Sequence, residues 1–222
     1  MMVLGAGIAA SCTAVLAVTS PALTISRALP QVVRVARSGA QGVSAPTWML
    51  LVVLAELWAI YGVFASVPAE VATNIPTALM ALAVVVLVAR RRARMAAALA
   101  STAALSLGVA GFALVCALTH HEGVEADLAV LGSLSIYLPQ FTKVLRERNL
   151  AGVAPVTWAL ACGSSISWGA YGLLIHKVPV YLPNVVILPV AIVILVRTMR
   201  AHEESASARL APQGSKREIA HP

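Results

Sequence analysis

The sequence predicts an all-α membrane protein of seven transmembrane helices, built as two parallel three-helix bundles joined by a linker helix. Three observations lead there: a composition too apolar for water, seven stretches of spanning length, and a set of motifs that occurs twice. Of the 222 residues, 59% are apolar and 11% charged, and the mean hydropathy is +0.87. Soluble domains carry about 25% charged residues. A chain of this length cannot hide so much apolar surface from water, so its solvent is lipid.

A helix needs roughly 20 apolar residues to cross about 30 Å of hydrocarbon. The first such stretch is 12–35. No Lys or Arg precedes Arg27, so the basic start of a secretion signal is missing and the segment reads as a first span. The second, 46–65, opens on Pro46, and the third, 69–89, ends at the run Arg90, Arg91, Arg92. The fourth, fifth, sixth and seventh fall at 95–118, 127–147, 155–175 and 180–198. Beyond Arg200 the chain turns polar and is expected to be disordered. The organisation expected is a first repeat at 1–92, a linker helix at 93–122, a second repeat at 123–200 and a tail at 201–222.

Charge placement gives the orientation. All of the 16 Lys and Arg except Arg27 and Lys177 lie in the tail, or in the connections after the first, third, fifth and seventh stretches and the closing turns that lead into them. Glu70, Glu122, Glu125 and Asp127 fall to the opposite connections. This bias puts the amino terminus outside and the carboxyl terminus in the cytoplasm. It also accounts for the net charge of +7 without nucleic acid as a partner. An Ala-rich, Arg-over-Lys composition points to a bacterial source and hence to the inner membrane as the cell membrane in question.

The repeat is visible residue by residue. Leu29-Pro30-Gln31 recurs as Leu138-Pro139-Gln140, and Gly42-Val43 with Thr47-Trp48 recurs as Gly152-Val153 with Thr157-Trp158. Trp58, Tyr61, Gly62 and Asn74 recur as Trp168, Tyr171, Gly172 and Asn184. The offset slips once, from 109 to 110 residues, and then holds. Three spans per copy would invert the second copy, so an odd helix between them restores its orientation. In transporters built of parallel repeats the solute site lies at the interface between copies, and a path is expected there.

Trp58 and Asn74 fall at similar depth, roughly 11 and 8 Å from the outer face at helical rise. Together with Trp168 and Asn184 they would give two aromatic faces and two amides around one cavity, a chemistry suited to sugar rings and hydroxyls. The same residues also suit an interfacial aromatic belt and interhelical glue; the unchanged spacing of 16 in both copies favours the cavity. Pro30 and Pro139 lie inside spans and free the carbonyls of Ser26 and Ser135, while Pro46 and Pro155 begin spans. They read as hinges of an inner gate or as static kinks.

These duplicated elements resemble the PQ-loop superfamily and, within it, the SWEET sugar transporters, from about residue 20 to 200. The resemblance implies sugar binding by Trp58, Asn74, Trp168 and Asn184. It also implies flexing at Pro30, Pro46, Pro139 and Pro155 during alternating access, with Gln31 and Gln140 beside the gate. Gln after the proline in both copies is also the pattern of single-repeat bacterial relatives and of lysosomal amino-acid exporters.

Only the first copy carries Arg27 and Glu56; the second has Ile136 and Ile166. A lone charge in a span costs about 2.5–3.5 kcal/mol, so an Arg27–Glu56 ion pair is expected, the alternatives being a snorkelling Arg27 and a proton-binding Glu56. His120, His121 and Glu122 are adjacent in an outer connection, a poor metal site. Cys12, Cys116 and Cys162 fit no disulfide or metal spacing, and no cofactor is expected. No catalytic constellation appears, which argues against an enzyme. The sequence therefore reads as a uniporter moving a sugar by alternating access. A proton-coupled amino-acid exporter and a non-transporting receptor are the alternatives. Association into a homo-oligomer is compatible with it.

Overall fold

The computed structural model describes residues 2–38, 43–91, 94–119, 121, 123–146, 150 and 154–210. The side chains of Gln31, Pro139, Gln140 and Lys143 lie outside that description, as do His120 and Glu122 altogether. Among the described residues there are seven helices: α1 Met2–Ser38, α2 Ala45–Phe64, α3 Pro68–Arg91, α4 Met95–Leu118, α5 Val124–Arg146, α6 Pro155–Leu174 and α7 Val178–Leu210. Each matches an apolar stretch of the sequence. The tail departs from expectation, because α7 runs on to Leu210 where disorder was expected from 201; residues 211–222 lie outside the description.

Among the described residues, length and composition let five helices cross a bilayer: α1, α2, α3, α4 and α7. The chain is thus an all-α, multi-pass membrane protein. Helices α5 and α6 each carry polar side chains of their own. Helix α5 has Glu125 and Asp127 in its first turn, where acids complement the helix dipole. Helix α6 holds Ser164, Ser165 and Ser167, all buried.

Within each copy the third helix sits between the first two. Helix α3 packs on both α1 and α2, and α7 on both α5 and α6, whereas α1 does not touch α2, nor α5 touch α6, among the described residues. The copies meet along two seams, α1 with α6 and α2 with α5. Exchanging the copies exchanges the seams, as a twofold axis between them requires. Helix α4 lies against α2 and α3 and reaches α5.

The turns joining the second and third helices are also duplicates. Ser66 and His176 both adopt positive φ, 56° and 54°. The Val67 amide then donates to the Gly62 carbonyl at 2.8 Å, and the Lys177 amide to that of Gly172 at 2.9 Å, closing each helix with a left-handed cap. Here glycine is required for proximity. A Cβ on Gly62 would lie 2.8 Å from Glu70 Cβ, and one on Gly172 would lie 2.7 Å from the Tyr181 amide nitrogen. This close approach brings the Trp-bearing helix against the Asn-bearing helix.

The buried apolar residues form three clusters that divide by end. At the end holding the α2–α3 and α6–α7 turns, one cluster draws on both copies: Leu57, Tyr61, Val67 and Ala69 with Ala126, Ala129, Tyr171 and Val180. At the arginine-rich end each copy has its own, Val35, Val43, Val84 and Val88 in the first and Val144, Leu150 and Ile194 in the second. The apolar core is shared between the copies at one end and divided between them at the other.

Candidate functional site

A cavity of about 880 Å³ occupies the space between the copies. Trp58, Asn74, Trp168 and Asn184 all line it. It extends past Arg27, Pro30 and Arg34 to Trp48, Thr157 and Trp158, near the starts of α2 and α6. Arg34 and Thr157 are exposed, so the cavity opens toward the arginine-rich end. The shared apolar cluster seals the other. Its volume falls within the roughly 300–1,000 Å³ of small-molecule pockets.

The indoles are held by a cross-copy pair of hydrogen bonds. Trp58 Nε1 donates to Ser133 Oγ on α5 at 3.0 Å, and Trp168 Nε1 donates to Thr24 Oγ1 on α1 at 2.9 Å. Both indoles are buried, Trp58 to 8% exposure and Trp168 to 7%. With their N–H groups taken, the indoles have their rings left to offer the cavity. Thr24 and Ser133 stand 109 residues apart, at the repeat offset. The recurring hydroxyl was present in the sequence, although Thr and Ser are not identical and the match is easily passed over.

The two asparagines differ. Asn184 Nδ2 donates to the Val180 carbonyl at 2.8 Å. Asn74 Nδ2 donates both to the Glu70 carbonyl and to Glu70 Oε2, each at 2.9 Å. Two acceptors on that side fix the amide with its nitrogen inward, leaving Oδ1 for a solute. Glu70 is buried, lines the cavity and forms no ion pair with the described residues. Charge placement alone had assigned it to an outer connection; it sits instead in the first turn of α3, where the second copy has Val180.

The expected Arg27–Glu56 ion pair is absent, because α1 and α2 are not neighbours. Arg27 Nη1 donates to the Tyr137 hydroxyl on α5 at 2.6 Å, with the guanidinium carbon 5.8 Å from that ring's centroid. Glu56 turns the other way and accepts a 2.6 Å hydrogen bond from Ser106 Oγ on α4. It is not among the residues that line the cavity.

Of the prolines, Pro30 lines the cavity while α1 continues through it. Pro46 and Pro155 stand in the first turns of α2 and α6, where no intrahelical donor is lost. Pro183, which the sequence did not single out, lines the cavity one residue before Asn184.

Among known proteins, the chain is 31% identical over 70 residues to the sugar transporter SemiSWEET of Escherichia coli (strain UMEA 3162-1), a match covering 79% of that protein and 30% of this chain. The chain belongs to the SWEET family. A solved structure of a eukaryotic SWEET transporter shares the fold of this SWEET-family chain, with a TM-score of 0.66 at 16% identity over 86% of this chain and 99% of the other. No family model matches. The 70 matched residues are close to one repeat in length, consistent with a SWEET chain that carries the unit twice.

Proposed function

We propose that this SWEET-family chain carries a sugar across the membrane, down its gradient, by alternating access. All seven helices span the bilayer in a 3+1+3 arrangement, the amino terminus outside and the carboxyl terminus in the cytoplasm of a bacterial cell. One observation supports the reading above all: a cavity between the copies lined by both tryptophans and both asparagines, open at one end and sealed at the other. The π-faces stack on the C–H side of a sugar ring, and the amides exchange hydrogen bonds with its hydroxyls. Alternating access then consists of breaking the shared cluster at the sealed end while the separate clusters at the arginine-rich end come together. Pro30, Pro46, Pro139 and Pro155, with Gln31 and Gln140, lie where that closure bends the chain.

The test is counterflow of radiolabelled glucose in proteoliposomes containing the purified chain. Asn74→Ala and Asn184→Ala are each expected to cut flux by about tenfold or more, the loss of one or two hydrogen bonds to a buried solute, while elution on gel filtration stays the same. Wild-type flux no faster than that of empty liposomes would refute transport of this sugar; flux indifferent to both substitutions would refute the site.

A further inference from the structure

We propose that the cavity is shaped for a sugar bearing an anionic oxo-group, with Arg27 as the residue that receives the charge; this rests on the sugar-transport reading above. Arg27 lines the cavity, yet its partner is neutral: Nη1 donates to the Tyr137 hydroxyl, and the guanidinium lies over that ring. A guanidinium carries five N–H donors in a fork that fits two oxygens of a carboxylate or phosphate. Tyr137 occupies one of them, and no carboxylate of the described residues forms an ion pair with the rest. Glu56 is bound to Ser106 outside the cavity, and Glu70 is bound to Asn74. A guanidinium held at membrane depth without a counter-ion is costly. A loaded anion would supply one.

Position supports the assignment. Thr24, which holds the Trp168 indole, precedes Arg27 by three residues, so Arg27 lies about 5 Å from the indole layer toward the open end. Arg34, two turns further along α1, lines the same cavity. Glu70 precedes Asn74 by four residues, about 6 Å toward the sealed end, and is the carboxyl lining the cavity among the described residues. The cavity is therefore graded, with carboxyl at the closed end, indoles and amides between, and guanidinium toward the mouth. A sugar ring stacked between the indoles turns its anionic group toward Arg27, away from Glu70, and its hydroxyls toward Asn74 and Asn184. The second copy has Ile136 in the place of Arg27, which also lines the cavity, so the device recognises one charge and not two.

Counterflow of glucose, glucuronate and glucose 6-phosphate in proteoliposomes of the full chain tests this. At least one anion is expected to exchange about tenfold more efficiently than glucose, and the preferred anion distinguishes carboxylate from phosphate. In Arg27→Ile the ratio of anion to glucose flux, taken within one preparation so that folding yield cancels, falls about tenfold or more. Arg27→Lys recovers part of the ratio, since it keeps the charge without the fork. If glucose exchanges and neither anion does, or if the ratio is the same in Arg27→Ile, the anionic-sugar assignment is overturned and sugar transport stands. If none of the three exchanges, the transport reading falls and takes this one with it.

Discussion

Asn74 and Asn184 occupy matched places but face different neighbours, and the difference is Glu70. A carboxyl buried in an otherwise apolar layer without a cation is an unfavourable choice for stability. Val180 shows that valine fills the equivalent place in the second copy. Glu70→Val should therefore stabilise the fold by about 1 kcal/mol or more, which for a chain of this size is about 2–4 °C in Tm. Scanning fluorimetry in detergent would read it, and a lower Tm would mean that the carboxyl has a structural role its single hydrogen bond to Asn74 does not reveal. The four candidate binding residues were legible in the sequence because each occurs twice. Glu70, Thr24 and Ser133 were not, because their importance lies in which helix faces them. The same limit undid the Arg27–Glu56 pair: a joint absence from the second copy suggested contact, but the third helix of each bundle separates the first two.

Packing sets each helix's tolerance to change. The two left-handed caps carry Ser66 and His176 where glycine is the usual residue. An L-residue there costs about 1 kcal/mol, so Ser66→Gly and His176→Gly should each raise Tm by a few degrees. Gly62→Ala and Gly172→Ala should lower it further than the caps raise it, since the added methyl meets neighbouring atoms at 2.8 and 2.7 Å. The seams differ in chemistry although symmetry relates them. On α1–α6, Ser20 Oγ lies 2.7 Å from Ser167 Oγ and Thr24 Oγ1 lies 3.0 Å from Ser164 Oγ. The matching residues on α2–α5 are Ala129 with Leu57 and Ser133 with Leu54, and Leu54 presses so close to Gly132 that a Cβ there would meet it at 2.9 Å. Ser167→Ala alone strands the Ser20 hydroxyl and should cost about 1–3 kcal/mol. Ser20→Ala combined with Ser167→Leu transplants the other seam's pairing and should recover most of that loss; additive losses in a double-mutant cycle would show that the hydroxyls act separately. Element positions were legible because apolar length and the repeat agree, whereas the hydroxyl ladder lowered the apparent hydropathy of α6 for a reason visible only when α1 is beside it.

At the scale of the whole molecule, the division of the apolar clusters gives the proposed alternating access its direction. One cluster joins both copies at the end away from the arginines, while the other two stay within their own copies. On the proposed alternating access, opening the sealed end exposes that shared cluster and requires a compensating contact around the cavity mouth at the other end. Cysteine accessibility would report this exchange. In a background lacking Cys12, Cys116 and Cys162, Thr157→Cys at the open mouth should react quickly with a water-soluble maleimide. Ala126→Cys, fully enclosed in the shared cluster at 1% exposure, should react slowly. Adding a transported sugar at saturating concentration should raise the Ala126→Cys rate and lower that of Thr157→Cys, because the proposed cycle trades one exposed end for the other. Rates that rise together would point to a loosening of the whole bundle, and an Ala126→Cys rate indifferent to sugar would mean that the shared cluster is a permanent floor and that solute leaves by the end it entered.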